Sequence, residues 1–338
     1  MPRADHLRLP VVLFAGFFGI AGSAVLGQTA EAKTFRIASL APQESSWGRL
    51  LMEMTAQVER ETQGGVQLRL YLGGKLGDEA KVAQKLGRGL HGAFFTGQGV
   101  GLILPAFRVQ ELPFLVENYQ EADKLRAALW PELEKAFERD TKAVLLGPGE
   151  TGQVYLFSRS KISTLEELRQ AKLWVWQGDQ VASETFKVFG VSPRPLDILT
   201  VVQELKSGGV DTVYNSPAGA VALGWTGDLQ YVSGRNFAYA SGGFVLTKQA
   251  WQQIPPEHQK IVKHVVDVYA EKIIQQARRD NEAALARLTE TGGGLKQVPI
   301  TDAKYQEFKK VGMAAWPELA EAISAGALLA QARKALSK

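Results

Sequence analysis

The chain has no cysteine among its 338 residues. That absence excludes disulfides, thiolate metal sites, cysteine nucleophiles and a lipid-modified cysteine anchor. Histidine is nearly as scarce, with four in the whole sequence, and only His91, His258 and His264 lie beyond the first 32 residues. His258 and His264 fall on different faces of a helical stretch, so no histidine pair is set up for a metal. Nucleophile-elbow, H-E-x-x-H, EF-hand and P-loop patterns are all missing. Lys and Arg are interspersed with acidic residues and the net charge is only +4, so there is no basic stripe of the kind a nucleic acid requires. No cofactor, metal or nucleic-acid partner is expected.

What is present is ordinary globular material, 45% hydrophobic and 22% charged, in a chain long enough for two domains. The first 32 residues carry a targeting pattern: Arg3, His6 and Arg8, then an apolar run from Leu9 to Leu26, then Ala30-Glu31-Ala32. This reads as a signal peptide cleaved near Ala32, giving an exported, periplasmic product, with an uncleaved anchor as the rival reading.

Beyond it, Phe35–Leu40 reads as a strand and Trp47–Glu61 as a helix capped by Ser45 or Ser46. Strand Val66–Leu72, helix Asp78–Leu86 and strand His91–Phe95 complete a β-α-β-α-β series, which implies a parallel sheet. Pro131 is expected to divide Tyr119–Asp140 into two helical stretches. Strands are expected at Lys142–Leu146 and Gln153–Ser158, with the glycine-rich turn Gly147-Pro148-Gly149-Glu150-Thr151-Gly152 between them. That turn matches G-x-G-x-x-G, but a β-rich run follows it instead of a helix, so it is read as an inter-domain turn and not a dinucleotide site. A second series follows: helix Thr164–Arg169, strand Leu173–Trp176, helix Val181–Phe189, strand Ser192–Pro195, helix Leu199–Ser207 and strand Asp211–Asn215. A long helix is expected over Pro256–Thr291, its apolar face carrying Ile261, Val265, Val268, Ile273 and Ile274, and a helical segment from Thr301 onward.

The most informative stretch is Lys172-Leu173-Trp174-Val175-Trp176-Gln177-Gly178-Asp179. Side chains alternate along a strand, so Trp174 and Trp176 share a face, and Asp179 is placed to cap the next helix. Such strand ends are where α/β proteins bind ligands. Trp47, Phe95, Gln153, Tyr155, Tyr214 and Asn215 fall at comparable positions. Each alone reads as packing; together with Asp179 and the two tryptophans they define a candidate ligand crevice.

The ordered set Phe35–Trp47, Tyr71–Asp78, Leu112-Pro113-Phe114, Ser163–Val175, Pro195, and Gly208–Asp211 running into Asn215-Ser216-Pro217 resembles the DctP-like periplasmic solute-binding proteins of TRAP transporters. The resemblance implies a two-lobed α/β Venus-flytrap fold, type II-like, with crossing strands and a long helix linking the lobes. Lobe I would be residues 33–150 plus 238–278, and lobe II residues 151–237 plus 279–338. It also implies a binding protein and not an enzyme, closing on a small molecule and delivering it to membrane permease subunits.

In that family the strand holding Lys172-Leu173-x-Val175 usually supplies a carboxylate-binding arginine, and here that position is Trp174. A second expected arginine falls at Val154, while Asn215 matches the family's ligand-contacting amide. No indole reproduces a guanidinium fork, so the expected ligand is apolar or amphipathic. The sequence is most similar to a branch with Trp-Val-Trp in this strand, in which a periplasmic helical-repeat protein is sometimes a partner. The rival is an organic acid held by a relocated cation, Arg36, Arg108 or Arg235. An exported enzyme would have only Glu150 and Asp179 at the strand ends to work with. Trp174→Ala is expected to weaken ligand binding by about one to two powers of ten with the fold intact.

Overall fold

A computed structural model describes residues 33–338. The signal segment expected at 1–32 lies outside the described residues. Ten strands alternate with helices: β1 Lys33–Ser39, β2 Val66–Tyr71, β3 Gly92–Thr96, β4 Ala143–Ser158, β5 Trp174–Trp176, β6 Arg194–Leu196, β7 Thr212–Asn215, β8 Tyr231–Ser233, β9 Ala238–Thr247 and β10 Lys296–Val298. The main sheet has the order β10-β8-β4-β9-β3-β1-β2, with β7 also paired to β4. β1 lies parallel to β2 and β3, as the β-α-β-α-β series requires. β5 and β6 form a short parallel pair, tied to β7 by a bridge between Leu173 and Thr212.

Ser45 and Asp179 cap helices as expected, and Asp78 and Thr164, expected as first helical residues, are caps as well; each accepts a hydrogen bond from a backbone N–H in the first turn of the helix that follows. Thr164 and Glu167 close a full capping box.

Three expectations are corrected. Tyr119–Asp140 is one continuous helix with Pro131 inside it. Pro131 denies the Ala127 carbonyl its usual partner, and the adjacent Ala128 carbonyl accepts a hydrogen bond at 2.7 Å from Gln331 of the last helix. Burial of Leu125, Leu129, Leu133 and Phe137 along one side then keeps both halves on a common core. The glycine-rich segment is not a turn between domains either. It lies inside β4, a strand of 16 residues that pairs with β9 from Ala143 to Val154. Two register shifts, between Leu145 and Gly147 and between Glu150 and Gly152, absorb the glycines as bulges. Gly152 takes a φ of +111°, and a Cβ there would sit 2.3 Å from the Asn281 amide. Third, Val268 is 40% exposed and not on the apolar face of the long helix, which spans Pro256–Thr289.

β4 and β9 together place the site. The first part of β4 belongs to the sheet of β1–β3, and its last four residues pair with β7. The two strands therefore cross between the lobes. The long helix packs against both halves, burying Val265, Val266, Tyr269 and Ile273 on the first side and Leu288 on the second. The C-terminal segment forms three helices, and Trp316 donates to the Pro113 carbonyl at 2.9 Å. Among the described residues no helix is long and apolar enough to cross a membrane.

Candidate functional site

The strand ends open into a cleft with three connected compartments. The outer one, about 160 Å³, is lined by Trp47, Thr151, Trp176, Asn215, Asp280 and Asn281 among others. The inner one, about 80 Å³, shares Thr96, Thr151, Trp176, Ile198 and Asn215 with it and adds Arg108, Glu111, Val154, Trp174, Asp179 and Tyr214. A recess of about 90 Å³ continues behind Tyr214.

Trp174 and Trp176 do project from one face of β5, and Val175 packs into a different core cluster on the other. Trp174 is only 1% exposed. Its ring stacks on Tyr214 with centroids 5.2 Å apart and meets Trp225 edge-on at 5.1 Å, and its Nε1 donates to the Leu196 carbonyl at 3.1 Å. Trp176, 8% exposed, borders both the outer and inner compartments. The aromatic wall is thus two layers deep: Trp176 faces the cleft and Trp174 backs it.

Of the other residues singled out by sequence, Trp47, Asp179, Tyr214 and Asn215 come to the cleft. Three do not. Phe95 is core. Gln153 turns away and accepts a hydrogen bond from Asn236. Tyr155 shares that side of β4 and packs with the second lobe's core cluster. Val154 lines the inner compartment instead, because alternation sends its side chain to the opposite face. Both positions at which the family resemblance leads one to expect an arginine, Val154 and Trp174, therefore border the cleft without a charge.

The cation that does line it is Arg108, and it is already shared. Its Nε donates to Glu111 Oε2 at 2.6 Å and its Nη2 to Asp179 Oδ2 at 3.0 Å, while Gln98 takes Nη1. Glu111 is held in turn by the Ser241 N–H at 2.7 Å and hydroxyl at 2.9 Å. Asp179 spends its other oxygen on the Ala182 N–H at 2.9 Å, the helix cap. Burial pushes the Glu111 carboxyl up, with Arg108 opposing it. Burial, then the charge of Asp179, pushes the Tyr214 hydroxyl well above its ordinary range. Glu111, Gln98 and Thr151 had no signal in the sequence beyond the helical i,i+3 spacing of Arg108 and Glu111. Arg36 lies over the Tyr71 ring and Arg235 pairs with Asp302; neither lines the cleft.

The two acids that an enzyme reading would use are both occupied. Glu150 is fixed by Arg278 and Tyr239, and Asp179 by Arg108 and its cap. No group of three or more His, Cys, Asp or Glu placed to hold a metal occurs among the described residues.

Beside the cleft, Glu79 accepts from the N–H and hydroxyl of Thr96, each at 2.7 Å. Burial pushes its carboxyl up from 4.5 to about 8, against those donors. The folded protein therefore holds a proton there that the unfolded chain releases near 4.5. The stabilisation from this group is complete at low pH and falls as pH rises to about 8. Glu79→Gln should flatten that decline in a series of urea melts; parallel profiles for the two proteins would count against it.

The model of the bacterial extracellular solute-binding proteins, family 7, matches residues 37–322. A Haemophilus influenzae protein is 25% identical over 217 residues, a match spanning 64% of this chain and 65% of that one. A Ralstonia eutropha TRAP periplasmic solute-binding protein, solved with bound acetolactate, superposes with a TM-score of 0.83 at 22% identity, over 90% of this chain and 98% of that one. An extracytoplasmic solute receptor of Bordetella pertussis that binds pyroglutamic acid gives 0.82 at 19% identity, over 91% and 100%. The fold is that of the two-lobed TRAP receptors, and such proteins are binding subunits and not enzymes. The chain belongs to family 7 of the bacterial extracellular solute-binding proteins, the extracytoplasmic solute-binding subunits of TRAP transporters.

Proposed function

We propose that this receptor captures a small apolar or amphipathic molecule between its lobes and delivers it to the TRAP permease. The carrying observation is the state of Arg108. A ligand carboxylate would have to displace Glu111 or Asp179 from a guanidinium that both already engage. Elsewhere the inner compartment offers aromatic and aliphatic surface from Trp174, Trp176, Val154 and Ile198. Trp47, Trp174, Trp176, Asp179, Tyr214 and Asn215 are the proposed ligand-binding residues; Phe95, Gln153 and Tyr155 support the walls. Closure would follow from extra contacts the ligand makes with both lobes. The same reading leaves room for a periplasmic helical-repeat protein between receptor and permease, and for export by a signal peptide cleaved near Ala32.

A second reading is favoured by one observation: Arg108 lines the inner compartment, and the Ralstonia and Bordetella relatives bind organic acids. There the ligand carboxylate would replace Asp179 on Arg108. A thermal-shift panel of fatty acids, aromatic neutrals, keto acids and dicarboxylates separates the two, alongside native mass spectrometry of freshly purified protein. Shifts confined to hydrophilic acids would establish the second reading. On the first, Trp176→Leu should weaken the binding of the panel's best apolar ligand by about ten- to a hundredfold, the worth of one buried aromatic contact.

A further inference from the structure

Two charge pairs join the two sides of the cleft, and both are built in the same way. Asp179 accepts the Ala182 N–H on Oδ1, as a helix cap, and Arg108 Nη2 on Oδ2 at 3.0 Å. Asp197 accepts the Leu199 N–H on Oδ1 at 2.9 Å, again as a cap, and Lys81 Nζ on Oδ2 at 2.9 Å. The cations stand with the β1–β3 half: Lys81 in the helix Glu79–Lys85 between β2 and β3, Arg108 in the short helix Pro105–Glu111 after β3. The acids stand with the other half, Asp179 just beyond β5 and Asp197 just beyond β6. Each acid thus fixes one oxygen on its own lobe, and the cap holds the other oxygen toward the opposite lobe. An apolar contact accompanies the exposed pair. Leu199 reaches over the Gly73-Gly74 turn, where a Cβ on Gly74 would sit 3.2 Å from Leu199 and 3.5 Å from Leu40.

We propose that Asp179 and Asp197 are closure residues: with Arg108 and Lys81 they latch the lobes together without any ligand atom, so that the empty receptor rests closed and opens transiently. The two latches differ in strength. Arg108 and Asp179 have side chains 9% and 4% exposed, and Glu111 and Gln98 already orient the guanidinium from its own lobe. Asp179 therefore meets a preorganised, partly desolvated partner, the condition under which a buried pair repays its own desolvation. Lys81 is 59% exposed, and its pair with Asp197 is correspondingly weak. Ligand contacts then add to a closure the protein already favours. A receptor that rests closed loads only through its open fraction, so these two acids set how readily it takes up cargo. The inference goes beyond the choice of ligand class, because it concerns the protein with its cleft empty.

The test reads the separation of the lobes directly. The chain has no cysteine, so Glu53→Cys and Lys206→Cys, at exposed helical positions in the two halves, supply two unique sites for spin labels. The labelled protein is unfolded, dialysed and refolded to strip any cargo, and the label-to-label distance is measured by pulsed electron paramagnetic resonance. One short separation, that of the closed structure, should dominate. Asp179→Asn, which keeps a capping oxygen and removes the charge, should raise the ratio of open to closed molecules by at least about tenfold. Lys81→Glu should raise it by about two- to fivefold, and adding Asp197→Lys should bring most of the closed population back. Lys81 is largely exposed, so its replacement leaves folding intact and keeps the test open if Asp179→Asn folds poorly. A dominant long separation in the refolded parent, or an unchanged distribution in both Asp179→Asn and Lys81→Glu, would overturn the latches.

Discussion

Replacing Arg278 with alanine should lower the unfolding free energy by about 3–5 kcal/mol, the cost of stranding a buried charge. The charge is Glu150, on β4, which is 0% exposed. Arg278, on the long helix, donates to it from Nε at 2.8 Å and Nη2 at 2.7 Å. The same guanidinium grips Asp123 at 2.7 and 3.0 Å and lies over the Tyr119 ring. Without it Glu150 keeps only the Tyr239 hydroxyl at 2.9 Å and the distant Arg126 at 3.9 Å. Arg278→Met combined with Glu150→Gln should recover most of the loss, because the penalty belongs to the unpaired charge more than to the missing pair. Urea melts of the single and double variants decide it. A single variant as stable as the wild type would mean that water reaches Glu150 when the arginine goes.

Trp174→Ala should cost about 3–5 kcal/mol of stability, the range for emptying a large aromatic site in a packed core. This revises the expectation drawn from sequence, that the substitution would report on ligand alone. Trp174 touches Tyr214, Trp225 and Trp176, and its removal opens a cavity shared by core and cleft. Loss of ligand by Trp174→Ala would therefore mix two effects. Trp174→Phe separates them. It keeps a ring against Tyr214 and gives up the hydrogen bond to Leu196, so stability should fall by less than in Trp174→Ala while the backing of the aromatic wall changes. A thermal midpoint for Trp174→Ala within error of the wild type would show that its neighbours collapse into the gap.

What could be read from the sequence was whatever depended on near neighbours in the chain. Ser45 and Asp179 cap helices through bonds spanning three residues, so their roles were visible locally. Trp174, Trp176 and Asp179 reached the cleft because strand alternation and a cap fix them without reference to the rest of the fold. Gln153 and Tyr155 failed for the same rule applied without its exception. The bulge between Glu150 and Gly152 resets which side chains point where, and Val154 lines the cleft in their place. Pro131 and the glycine-rich stretch misled because local breakers were overruled from afar. Gln331 reaches the helix around Pro131, and β9 gives β4 a partner along most of its length. Arg108 was named as a candidate cation. That its charge is spent could be known only once Asp179 and Glu111 were brought to either side of it.

The crossing of β4 and β9 also governs how the chain must assemble. β9 separates β3 from β4 in the sheet, so the early β-α-β-α-β unit lacks its neighbour until residues far along the chain arrive. The strand pairs that complete the second half need β4 as well. Neither lobe can close its sheet as an independent folding unit, and the barrier is set by the entropy of bringing distant segments together. A chain built this way cannot complete either half of its sheet until β9 is available, which couples the two lobes in folding.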